Sequence, residues 1–261
     1  DLVYRQGKNS NIALNAKLMQ QGRTDLIEGE DFQMIACKGA EEAAQIVKEL
    51  YVKELAVHGM DQVQILSPYK VRSAAGVIEI NRTIQDLVNP PISGKKELHI
   101  HDHIFREGDK VLQNKNTEVA SNGDMGILTE ISEDEDSNPL ARIVFPDGRS
   151  VLYEIDQMDM VEHANAITIH KSQGNECQVV IIPWVWAFYK MLKRNILYTG
   201  ITRAKQKVYL VGEKKAITVA IKQESTGTRN TILAERIRYY CDIYQKPTQR
   251  QPKMEQLRLA V

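Results

Sequence analysis

Two stretches carry most of the chemistry in this chain: "TIHKSQGNE", Thr168 to Glu176, and "YTGITRAK", Tyr198 to Lys205. The first follows an apolar run and gathers Thr168, His170, Lys171, Ser172, Gln173 and Glu176 around a turn at Gly174. Hydroxyls and an imidazole can hold phosphate oxygens, the imidazole can stack on a base, and a carboxylate can accept hydrogen bonds from ribose hydroxyls. At the C-terminal edge of a parallel sheet such a loop lies where ligands bind. The plainer alternative is a polar loop between two core strands. In the second stretch Arg203 follows two threonines, Thr199 and Thr202, and precedes another apolar run. A rigidly held arginine can stabilise the charge that develops on a transferred phosphoryl group. Taken alone, Arg203 reads more simply as a surface arginine complementing the C-terminal end of a helix.

These loops need a scaffold, and the hydropathy pattern supplies one. "SNIALNAKLMQQG", "AEEAAQIVKELYVKELAVHG" and "AAGVIEINRTIQDLVNPP" have helical periodicity. In the second of them Ile46, Val47, Leu50, Leu55 and Val57 are expected to face inward. "DFQMIAC" and "VQILSP" are short buried strands between the helices, so residues 1–96 alternate as in a parallel sheet with helices on its faces. From Glu97 the texture changes to short alternating runs, "DKVLQNKN", "MGILTEIS", "ARIVFPDG" and "SVLYEID", separated by turn signals. Residues 97–163 therefore read as an inserted small β-barrel, with "EDED" a solvated loop tip. Strands return in "AITIH", "QVVIIP" and "KVYLVG", so 164–240 completes the α/β domain and 241–261 is a polar, proline-broken tail.

Charge is zero overall but uneven. Residues 1–104 carry a net −2, residues 105–162 a net −9 and residues 163–261 a net +11. The last third suits a polyanion, or is a solvated basic face. A barrel that touches a polyanion must segregate its charge, with Lys110, Lys115 and Arg142 on one side and its acidic residues on the other. No apolar run is long enough to span a membrane. Three cysteines without a CxxC pattern suit a reducing compartment, the cytoplasm, and no structural zinc. "HIHDH" would put His99, His101 and His103 on one face of a strand, a possible three-imidazole metal site. Exposed linker histidines are the plainer reading. Phe188, Leu192 and Leu197 read as core. Trp184 and Trp186 read as core or interdomain packing, with stacking beside a nucleic acid as the alternative.

In order along the chain, "VYRQG", "ILSP" with "AGVIEINRTIQDLVNP", "FREGDKVLQNKN…SNGDMGIL", "AITIHKSQGNE" and "LYTGITRAK…VYLVG" resemble the motifs of the RecD-like branch of superfamily 1 helicases. The last two resemble its motifs V and VI, and "TRNTILAERI" is similar to its closing helix. The resemblance implies a second RecA-like motor domain, a parallel sheet with helices on both faces, interrupted by an SH3-like barrel. It implies the C-terminal half of an ATP-dependent 5′-to-3′ DNA helicase. Arg5 and Arg203 would then be phosphate-facing catalytic arginines. Glu176 would bind the ribose beside Gly174, and Gln173 would couple nucleotide to track. Thr168, His170, Lys171 and Ser172 would face single-stranded DNA. "KVRSAAG" departs from the branch by lacking its usual Gly-Pro.

The pattern G-x-x-x-x-G-K-[ST] occurs nowhere in the chain. ATP and Mg2+ are therefore expected to be held mainly by an N-terminal motor domain of the same polypeptide, and this chain alone is expected not to hydrolyse ATP. "DLVYRQGKNS" reads as an internal start. The further partner implied is a recombination or repair complex. The competing function is a non-catalytic module that holds single-stranded nucleic acid through the barrel and the basic last third.

Overall fold

The computed structural model describes residues 10–71, 73–223 and 236–241. Arg5, most of "TRNTILAERI" and nearly all of the C-terminal tail lie outside the described residues. The first half contains α1 (Asn11–Gln20), β1 (Phe32–Ala36), α2 (Ala40–His58), β2 (Val63–Ser67) and α3 (Val77–Val88). Then come β3 (Glu97–Ile100), β4 (His103–Arg106), β5 (Lys110–Gln113), β6 (Met125–Glu133), β7 (Pro139–Val144), β8 (Ser150–Glu154) and β9 (Val161–His163). The chain closes with β10 (Ala166–Thr168), β11 (Cys177–Trp184), α4 (Arg194–Ile201), β12 (Ala204–Gly212) and α5 (Lys214–Lys222). The chain divides into two units, the first ending at Ser225. Of the second, residues 236–241 are helical and exposed.

Five strands form a parallel sheet in the order β1-β12-β11-β2-β10. Seven of the eight residues of β11 are buried, because helices cover both of its faces. One layer is α2 and α3, which touch each other and pack on β2, β10 and β11; the other is α1, α4 and α5, joined to β11 and β12 through α4. Helix α1 starts where the Ser10 hydroxyl accepts from the Ile12 amide (3.2 Å) while donating to Asp31 (2.8 Å).

The inward face of α2 differs from expectation. Val57 is 73 % exposed, whereas Tyr51 and Glu54 are buried. Glu54 tolerates burial because its carboxylate accepts from the Tyr209 hydroxyl at 2.6 Å and pairs with Lys207 and His58. Phe188, Leu192 and Leu197 are fully buried, as their spacing requires. Trp184 is also in the core, its indole N–H donating to the Ala216 carbonyl, but Trp186 is exposed.

The inserted strands build an antiparallel ladder in the order β8-β7-β6-β5-β9, with β3 and β4 as a separate hairpin. Phe105 of the hairpin shares one apolar core with Leu128, Ile143 and Tyr153 of the ladder. The hydrogen-bonded ladder is open between β8 and β9. The "HIHDH" segment is not one strand. His101 has φ 50° and makes the turn, leaving His99 in β3 and His103 in β4. Its ring nitrogen faces Asp159 at 3.1 Å, and no metal-binding cluster occurs among the described residues.

The expected charge segregation is also overturned. Lys110 is 2 % exposed, and its ammonium donates to the carbonyls of Met60 (2.8 Å) and Val63 (3.1 Å). It pins the first ladder strand to the start of β2, and burial lowers its pKa. Arg142 is spent on Glu130 at 2.8 Å. Of the three basic residues assigned to one face, Lys115 is left exposed without such a role.

A candidate functional site spanning two edges of the parallel sheet

Thr168 is the last residue of β10 and lies beside Ser67, the last residue of β2. It stands at the C-terminal edge of the sheet. Its carbonyl accepts from the amides of Lys171 (2.9 Å) and Ser172 (3.2 Å), folding the chain into a helical turn. This turn leaves His170 and Gln173 exposed. Gly174 adopts φ +96°, a conformation that a side chain disfavours, and turns the chain back. Ser172, expected to face single-stranded DNA, is turned inward. It is 2 % exposed, and its hydroxyl donates to the Ile169 carbonyl at 2.7 Å, which locks the turn from inside.

The loop then crosses the sheet. Cys177, the first residue of β11, pairs with Ala204, the first residue of β12, and its amide donates to the Arg203 carbonyl at 3.1 Å. Glu176 and Arg203 are therefore neighbours at the N-terminal edge, opposite to Thr168. The sequence expectation of a C-terminal-edge loop holds only for its first half. Glu176 pairs with Lys205 at 3.1 Å. Arg203 follows the end of α4, and its Nε donates to the Thr199 carbonyl at 3.2 Å, which aims the guanidinium.

Helix α4, which precedes Arg203, lies against the residue that follows Thr168. A Cβ on Gly200 of α4 would sit 3.0 Å from Ile182 and 3.3 Å from Ile169, so the glycine lets the arginine-bearing helix approach the root of the Thr168 turn. Ile169 itself is buried. Helix α4 and the root of the Thr168 turn thus share one packing contact through Ile169.

At the C-terminal edge the inserted module reaches the turn. The Lys171 ammonium donates to Glu162 at 2.9 Å and also to Asn114, while Lys70 donates to the other oxygen of Glu162 at 2.5 Å. Burial raises the Glu162 pKa, but the two lysines outweigh it and hold the carboxyl at about 2. Nothing local in the sequence marks Glu162, Asn114 or Lys70, because their meeting depends on the docking of the insertion.

Glu162 titrates above its folded value in the unfolded chain, so its contribution is present above pH 4.5 and is lost as pH falls towards 2. Glu162→Gln is expected to remove up to about 3 kcal/mol of this acid-limb dependence. Urea midpoints at pH 3 and pH 6 check it, and equal pH slopes for parent and variant would refute it.

Comparison with known proteins agrees with this architecture. Residues 163–211 match the UvrD-like helicase C-terminal domain, and residues 80–145 match the ATP-dependent RecD-like DNA helicase SH3 domain. The ATP-dependent RecD2 DNA helicase of Deinococcus radiodurans is 30 % identical over 242 residues, which is 90 % of this chain and 31 % of that protein. The RecBCD enzyme subunit RecD of Mycobacterium tuberculosis is 43 % identical over 61 residues, 23 % of this chain and 11 % of that protein. The chain thus spans less than a third of the length of these relatives.

Among solved structures, the Pif1 helicase from Candida albicans superposes with TM-score 0.52 at 15 % identity, covering 92 % of this chain and 59 % of that one. A Bacteroides Pif1 helicase in complex with ADP-AlF3 and ssDNA gives 0.51 at 17 % identity, covering 92 % and 55 %. These likenesses establish the fold. The RecD-like SH3 match followed by the helicase C-terminal match on one chain, with the RecD2 relative over 90 % of its length, supports a C-terminal part of a RecD-like superfamily 1 helicase.

Proposed function

We propose that this chain is the second motor half of an ATP-dependent DNA helicase moving 5′ to 3′, holding single-stranded DNA at one sheet edge and a nucleotide at the other. The observation that carries the proposal is the Thr168–Glu176 loop, which starts at the C-terminal edge and ends beside Arg203 at the N-terminal edge. Thr168, His170 and Lys171 form the track; Ser172 shapes it from beneath. Glu176, Gly174 and Gln173 meet the nucleotide, and Arg203 faces its phosphates. Arg5 is assigned the same role from its motif. Among relatives, the Deinococcus protein is an ATP-dependent helicase and the Bacteroides structure holds ADP-AlF3 and ssDNA.

The donor set fits a nucleotide approached from one side. A guanidinium suits phosphate oxygens and a carboxylate suits ribose hydroxyls, which would displace Lys205 from Glu176. No cluster of three or more carboxylate, histidine or cysteine groups able to hold a metal occurs among the described residues. Magnesium and the rest of the nucleotide are assigned to an N-terminal motor domain of the same polypeptide. Bound ATP supplies a phosphoryl group for transfer to water. Arg203 stabilises the charge that accumulates on its oxygens. A change at that edge moves α4 against Ile169 and so shifts the grip on the strand. A recombination or repair complex is the assigned setting, and the cytoplasm the assigned compartment.

The track is tested by fluorescence anisotropy of a labelled single-stranded oligonucleotide, at low and moderate salt. Salt-sensitive binding is expected, and His170→Ala is expected to weaken it roughly 5-fold or more, the loss of one base or phosphate contact. Binding unaffected by His170→Ala would place the track elsewhere.

A further inference from the structure

The exposed Trp186 is unexplained by the fold. It follows two fully buried residues, Trp184 and Val185, and precedes buried Phe188, yet its own side chain is 41 % exposed. Tyr189 beside it is 61 % exposed. The segment Trp186–Met191 is a 3-10 stretch kinked at Phe188. The Trp186 amide donates to the Glu213 carboxylate at 2.6 Å, and the Phe188 ring stacks on Tyr69 with centroids 5.7 Å apart and planes 9° from parallel. Both rings are thus presented outward by a turn that is bolted down at two points.

Its place in the sheet gives the turn a direction. Trp184 pairs with Gly212 at the ends of β11 and β12, so Trp186 emerges at the C-terminal edge, the same edge as Thr168. A continuous set of contacts joins the two: Lys171 and Lys70 share Glu162, and Tyr69, next to Lys70, stacks under the Trp186 turn through Phe188. Strands β10 and β11 are two strand spacings apart, about 10 Å. Cations line the turn. The Lys215 ammonium lies 4.3 Å from the Trp186 ring centroid, Lys190 lies 5.9 Å from that of Tyr189, and Lys193 is exposed close by in sequence. Glu213, a carboxylate at the turn, accepts from the Trp186 amide.

We propose that Trp186, supported by Tyr189 and Lys215, is a base-stacking platform that extends the single-stranded DNA track across the C-terminal edge. The inference rests on the track reading above. An unpaired base stacks on the exposed indole, and Lys215, already over the ring, reaches the adjoining phosphate. Stacking of this kind carries no sequence preference, because every base has a π-face.

The chain itself supplies the probe, since Trp184 is sealed in the core and Trp186 is its one exposed tryptophan. Titrating an oligothymidylate is expected to quench the Trp186 emission in step with anisotropy. Trp186→Ala is expected to weaken binding about 5-fold or more, Trp186→Phe to restore most of it, and neither to change affinity for an abasic oligonucleotide of the same length. Oligonucleotide binding with unchanged emission and unchanged affinity in Trp186→Ala would overturn the platform while leaving the track intact. An equal loss towards the abasic oligonucleotide would also overturn it, since bases would not be involved. Emission that responds to the concentration of the chain and not to DNA would make this face a contact between copies and overturn it. No binding by either readout at low salt would remove the track and the platform together.

Discussion

Arg203→Ala, made in a polypeptide that carries both motor halves, is expected to lower ATP turnover by about 10³–10⁵-fold while single-stranded DNA affinity changes little. The guanidinium stands at the start of β12, aimed by its bond to the Thr199 carbonyl and by the docking of α4. In the proposed role its contribution is made where charge builds up, so its loss is expected to fall on turnover more than on binding. Arg203→Lys is expected to recover little, because an ammonium cannot reproduce the planar fork. Steady-state phosphate release with parallel anisotropy separates the outcomes. Turnover at the parental rate would end the catalytic assignment. A fall in DNA affinity alone, with the salt slope smaller by about one unit, would favour a binding module.

The second large effect concerns stability. Asp109, 1 % exposed, accepts from Gln85 (2.6 Å), Asn89 (2.7 Å), the Arg106 amide (2.8 Å) and His163 (3.3 Å). Gln85 and Asn89 come from α3 and its C-terminal cap, Arg106 and His163 from the ends of β4 and β9. The carboxylate is therefore the rivet between the inserted module and the parallel-sheet domain. Burial raises its pKa, but hydrogen bonds from His163 and Asn89 outweigh that and hold it below the ordinary carboxylate range. Asp109→Ala strands several buried donors at once and is expected to cost about 3–5 kcal/mol. For a chain of this size that is about 10 °C in Tm. Asp109→Asn keeps the shape and should cost less. Calorimetry checks both, and a parental Tm for Asp109→Ala would show that the module is held by its apolar contacts alone.

The sequence located the strands of the parallel sheet because buried parallel strands are continuous apolar runs, and "QVVIIP" has no other reading at that length. It was less informative wherever a partner comes from far along the chain. Glu54 was unreadable as an inward residue because the Tyr209 hydroxyl that satisfies it lies 155 positions away. Lys110 looked like a surface cation for the same reason, since its two carbonyl acceptors belong to the approach to β2. His101 broke the apparent strand through its backbone, which composition does not encode. The chemistry of the candidate site was visible as residue types in order. Its division between two edges was not, because that follows from β10 and β11 both running parallel to β2, so that the loop joining them crosses from one edge to the other.

That strand order also governs how the chain is made. β1 pairs only with β12, and β2 lies between β11 and β10, so no two strands of the first hundred residues are neighbours in the parallel sheet. A ribosome delivers about 5–20 residues per second, so β1 and β2 wait many seconds for their ladder partners to emerge. Through that interval the nascent first half carries unpaired edges and an uncovered apolar face, while the inserted module completes its own antiparallel ladder. Synthesis up to Gly212 closes the sheet in one late step, and slowing translation between β9 and β12 would lengthen the period in which the unfinished polypeptide depends on chaperones.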